Sequence, residues 1–125
     1  MLIVNGLELD FDLTSPSDVL RYKAAGEQME AEGASISLPA LDEDDPRFLD
    51  VYVEMLNSEL RLFGNFIDNV FGDGVAEKLL GDNPSLTKVG EINDALEAAF
   101  EKQGNDFGVK LQKYQPNRAT RRAQK

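Results

Sequence analysis

The chain contains no cysteine and no histidine. Without cysteine neither a disulfide framework nor a thiolate metal site can be built, and a reducing cytoplasm is the natural setting. Without histidine the chain lacks the side chain most used for proton transfer near neutral pH and the commonest ligand for zinc or copper. Both absences lower the expectation of catalysis, and no cofactor or metal is expected. Long apolar runs are missing too: a charged residue or Asn interrupts every stretch before it reaches the roughly 20 apolar residues of a membrane span. The opening, Met1 to Leu7, has neither the cationic start nor the sustained apolar run of a signal peptide. The expectation is a soluble protein that stays where it is made.

Positive charge is scarce until the very end. All 23 acidic residues lie at or before Asp106, where only seven basic residues (Arg21, Lys23, Arg47, Arg61, Lys78, Lys88 and Lys102) oppose them, a net of −16. Residues 109–125 carry the other six, Lys110, Lys113, Arg118, Arg121, Arg122 and Lys125, with no carboxylate, a net of +6. Contacts to phosphates are cationic, so such a body repels nucleic acid and anionic membrane, and neither is expected as a partner. Tyr114 is the only aromatic near the basic end, too little for a stacking platform.

What remains is ordinary for a globular chain: 125 residues, 42% hydrophobic and 29% charged. One compact core is expected, spanning 1–114, with 115–125 as a basic tail. Residues 1–13 read as a β-hairpin. Asn5-Gly6 suits a type I′ turn, and Leu7, Leu9, Phe11 and Leu13 alternate with Glu8, Asp10 and Asp12. Ser15-Pro16-Ser17-Asp18 reads as a helix start, with Ser15 as N-cap and Asp18 at the capping-box site, and Gly33 as the stop. Residues 33–45 read as a loop. Asp45 with Pro46 predicts a second helix running to Phe71, so apolar along its length that it must be the centre of the core or be partly covered by another chain. A short turn of helix over 75–80 and a last long helix capped by Ser85 and extending to Tyr114 complete the expectation: a mainly α (α+β) fold of three long helices with a small N-terminal hairpin.

Three stretches that look like chemical motifs do not hold up. Counting from Asp42, the acidic run has Arg47 where a calcium loop needs Gly and Val53 where it needs a bidentate Glu. Glu8, Asp10 and Asp12 line a solvent-facing strand, which supplies nothing to raise a carboxyl pKa. Gly72-Asp73-Gly74 begins like a dinucleotide loop but has Glu77 in place of the third Gly and follows a helix. The densest apolar cluster holds Phe63, Phe66, Ile67 and Phe71, which core packing would explain and a partner-binding groove would also use.

The opening "IVNGLELDFDL", the capped helix "SPSDVLRYKAAGEQ", the acidic helical body and the end "PNRATRRAQK" together resemble the tail assembly chaperones of long-tailed, siphovirus-like bacteriophages and prophages. The likeness runs over nearly the whole chain in architecture and over the two ends in residues. It implies a non-enzymatic protein in the cytoplasm of the bacterial host. There it would coat the tape-measure protein, recruit tail-tube subunits and exist in a longer frameshifted form joined near the basic end. A long helical client with apolar stripes needs a soluble, highly charged cover with apolar grooves, and one long client needs many copies, so self-association is expected. Phe63, Phe66, Ile67 and Phe71 are the expected groove, and Arg118, Arg121, Arg122 and Lys125 the expected contacts to acidic patches on tube subunits or neighbouring copies. The alternative is an acidic regulatory inhibitor, a nucleic-acid mimic whose carboxylates occupy a basic protein surface.

Overall fold

In the computed structural model, residues 1–107 are described; the expected helical extension to Tyr114 and the basic tail lie outside them. The elements run β1 (Leu2–Val4), β2 (Leu7–Leu9), α1 (Pro16–Ser35), α2 (Phe48–Phe71), α3 (Val75–Leu80) and α4 (Leu86–Phe107). The fold is mainly helical with a small antiparallel hairpin.

Asn5 at φ 51° and Gly6 at φ 80° give the turn both positive φ values that type I′ demands. The register pairs Leu2 with Leu9 and Val4 with Leu7, which turns Leu2, Val4 and Leu9 inward and leaves Ile3 and Glu8 in solvent. Pairing stops at Leu9, opposite Leu2, short of the expected Leu13. Apolar alternation nevertheless continues through buried Phe11 and half-buried Leu13. The Gln103 side chain takes the place of a strand: its amide nitrogen donates to the Phe11 carbonyl at 2.9 Å, and its oxygen accepts the Leu13 N–H at 2.7 Å.

Ser15 caps α1 through its hydroxyl, which accepts the Asp18 N–H at 3.3 Å. The reciprocal half of the capping box is not made. Asp18 instead accepts the Asp12 N–H at 2.9 Å and pairs with Arg21 at 3.1 Å, while the Ser15 N–H bonds the Asp12 carbonyl. Gly33 does not stop α1, which continues to Ser35. A Cβ at Gly33 would stand 3.6 Å from Leu62, so this glycine sits on the face toward α2. The start of α2 is also displaced. Asp45 is not its N-cap: the Asp45 carboxylate accepts the Arg47 N–H at 2.8 Å in a turn ahead of the helix, which begins at Phe48 with Arg47 at the cap position and no side-chain cap bond.

The core joins the hairpin (Leu2, Val4, Leu9, Phe11) to α2 (Phe63, Phe66, Ile67, Val70), α3 (Ala76, Leu80) and α4 (Ile92, Leu96). Arg21 ties α1 to the end of α2 by donating to the Val70 carbonyl at 2.7 Å. Asp68 does the same between α2 and α3, accepting the Ala76 N–H at 2.9 Å. Ser85 caps α4 through the Lys88 N–H at 3.1 Å, and the Lys88 ammonium reaches the Leu80 and Asn83 carbonyls at 3.2 and 2.7 Å.

Candidate functional site

The C-terminal half of α2 is the floor on which α1, α4 and the hairpin rest, and its residues face a hollow of about 430 Å³. Leu62, Phe63 and Phe66 form the base, Tyr22 and Met29 of α1 one wall, and Leu86 and Val89 of α4 the other. Glu30, Glu59 and Asn93 stand at its rim. The volume falls within the roughly 300–1,000 Å³ common for ligand sites, and the apolar base with a polar rim suits the apolar face of a helix. Tyr22 closes one end, packed edge-on against Phe66 and Phe100 with ring centroids 5.5 Å away in each case. Behind Tyr22 lies a second, smaller apolar hollow of about 160 Å³ between Phe11, Leu13, Val19 and Phe100.

Of the four residues expected to form a groove, the structure brings two to it. Phe63 and Phe66 lie at its base with 5% and 9% of their surface exposed, as floor and not as projecting anchors. Ile67 is fully buried in the core behind them. Phe71 is half-buried and packs edge-on against Phe11, centroids 5.7 Å apart, away from the hollow. Arg118, Arg121, Arg122 and Lys125 lie outside the described residues. The walls were the missed part. Tyr22 and Met29, seven residues apart on α1, and Leu86 and Val89, three apart on α4, read equally well as core positions in sequence.

A second apolar surface lies at the far end of the α1–α2 hairpin. Leu49, Tyr52 and Val53 of α2 are exposed there, beside a hollow of about 180 Å³ between Leu38, Leu41, Phe48 and Met55.

Two carboxyls have their acidity altered by their surroundings. The Thr14 hydroxyl and N–H, donating at 2.6 and 2.9 Å, hold Asp12 below the usual carboxylate range. The Arg47 side chain and N–H do the same for Asp45. Both changes favour the charged form, the opposite of what a general acid needs. Among the described residues no group of three or more carboxylates is placed to hold a metal ion, and no helix is long and apolar enough to cross a membrane.

A family model of unknown function, DUF6673, matches residues 5–125. The chain belongs to that family. The match takes in the hairpin turn, the four helices of the described residues and the basic end, so the residues of the groove and of the tail fall within one family match. No curated protein and no solved structure matches the chain.

Proposed function

We propose that the chain is a non-enzymatic binding protein, a phage tail assembly chaperone that holds an apolar helical stripe of the tape-measure protein until tail-tube subunits enclose it. The observation that carries this reading is the hollow between α1 and α4, floored by Leu62, Phe63 and Phe66 and rimmed by Glu30 and Glu59. It offers apolar cover to a helix while the acidic rim and the −16 body keep the complex soluble. The resemblance in the two ends of the sequence supplies the identity of the client, the bacterial cytoplasm as location, and the tail-tube protein as second partner.

The test is co-expression with a phage tape-measure protein, the client the resemblance implies. The full chain should keep that protein in the soluble fraction. Met29→Glu with Leu86→Glu, at a half-buried and an exposed position of the groove walls, should return it to the pellet while the chaperone itself stays folded. A folded double variant that protects the client as well as the natural chain does would refute the reading. Binding that ignores the groove but vanishes with salt would point to the acidic mimic instead.

A further inference from the structure

The two ends of the molecule are chemically complementary. At one end, Leu49, Tyr52 and Val53 are 71%, 48% and 51% exposed, a contiguous apolar face on the first turns of α2. Close to it in sequence are Asp42, Glu43, Asp44, Asp50 and Glu54, all exposed, and the one cation close by among the described residues, Arg47, is paired with Asp45 at 3.2 Å. The face therefore fits an occupant that is both apolar and cationic. At the other end, the chain leaves α4 at Phe107 and continues through Lys110, Leu111, Lys113 and Tyr114 to four further cations. That segment has the matching composition.

Geometry decides which copy it serves. Phe11 packs against Phe71 and Phe100 with centroids 5.7 and 5.4 Å away, so the C-terminal half of α4 lies level with the end of α2, opposite the exposed face. From Val53 to Phe71 the helix runs about 27 Å at 1.5 Å per residue. Leu111 and Tyr114 follow Phe107 by four and seven residues, at most about 14 and 25 Å of fully extended backbone. The span from Phe107 is longer still, because α4 runs seven residues past Phe100, so Leu111 and Tyr114 fall short of the face on their own molecule, whereas the cations from Arg118 onward do not.

We infer that residues 109–125 of one copy dock on the Leu49–Tyr52–Val53 face of the next, joining copies head to tail. Such a contact is heterologous and does not close on itself, so it builds an open chain of copies in place of a symmetric dimer. It uses a surface separate from the α1–α4 hollow and stands whether or not the client is a tape-measure protein.

Analytical ultracentrifugation of the full chain tests it. At low salt the natural protein should form species that grow with concentration without stopping at a fixed size, and added salt should reverse this. Leu49→Asp with Val53→Asp, both at exposed positions, should lose every species above monomer. So should the charge reversal of Lys110, Lys113, Arg121 and Arg122 to Glu. Mixed in equal amounts, these two variants should form one species of two chains and no larger, because the pair retains one intact face and one intact segment. Natural protein that stays monomeric at every concentration, a variant that still grows, or a mixture that stays monomeric with both chains folded would each overturn the inference. Carbodiimide cross-linking of isotopically mixed natural protein checks it without substitution: Lys110 or Lys113 should join Asp44 or Asp50 in mixed-isotope pairs, and pairs confined to single copies would contradict it.

Discussion

Gln103 stands where the hairpin runs out of partners. Past Leu9 the second strand has no neighbour, yet Phe11 is 2% exposed and its backbone cannot count on water. A side-chain amide sets N–H donors beside a carbonyl acceptor in nearly the spacing of a peptide group, so Gln103 can bond Phe11 and Leu13 as a strand would. Replacing it with Leu keeps the bulk and strands both backbone groups, which should cost about 1–3 kcal/mol in urea unfolding; an unchanged midpoint would mean that water serves them equally well. The depressed Asp12 and Asp45 carboxyls carry a prediction in acid. A carboxyl whose folded pKa lies below its unfolded value binds its proton more readily in the unfolded chain, so its contribution is complete above the unfolded value, 3.8 here, and is lost as pH falls through the folded one. Stability should decline from this source only below about pH 4, and Asp12→Asn with Asp45→Asn should flatten that decline. With no histidine in the chain, a steep stability change between pH 6 and 7 would contradict the account.

At the scale of elements, α2 is two surfaces in one helix. From Ser58 onward its apolar residues meet α1, α3, α4 and the hairpin; before that, Leu49, Tyr52 and Val53 stay exposed, with Tyr52 stacked on Phe48 of the same helix at a centroid distance of 6.3 Å. The sequence pattern posed core and partner surface as alternatives for the whole helix, because composition does not record where a neighbouring helix ends. Capping was more legible. Ser15 and Ser85 stand where hydroxyl caps were expected, since a cap depends on residues within one turn. Ser15→Ala should cost about 1 kcal/mol of stability, read as a lower thermal midpoint with α1 otherwise intact; no loss would mean that the backbone bond from Ser15 to Asp12 holds the turn alone. The ends of α1 and α2 depart from expectation in different ways. Gly33 stays helical on the face toward Leu62, and local bonds among Asp42, Asp45, Arg47 and Phe48 form a turn that takes up Pro46 before α2 begins. The walls of the groove were hidden for a non-local reason. Phe63 and Phe66 could be singled out because they crowd one stretch of sequence, whereas Tyr22, Met29, Leu86 and Val89 become its walls only when α1 and α4 are set on either side of α2.

For the molecule as a whole, charge and apolar surface are partitioned by place. The carboxylates cover the body, six of the thirteen cations are concentrated past residue 108, and exposed apolar side chains stand in the α1–α4 hollow (Tyr22, Leu86) and at the α1–α2 tip (Leu49, Tyr52, Val53), besides those of the hairpin and α1 (Met1, Ile3, Val19, Leu20). A protein that only folded and stayed monomeric would gain nothing from leaving Leu49 and Leu86 in water; one that covers a helix and lines up beside its own copies uses both. The central claim is that the hollow receives an apolar helix face. Isothermal titration of the full chain with amphipathic helical peptides cut from a phage tape-measure protein tests it most directly. The account predicts saturable binding, one peptide per chain, with a negative heat-capacity change, retained at high salt and lost in Met29→Glu with Leu86→Glu. Binding that is absent, or that the folded double variant keeps unchanged, would contradict it.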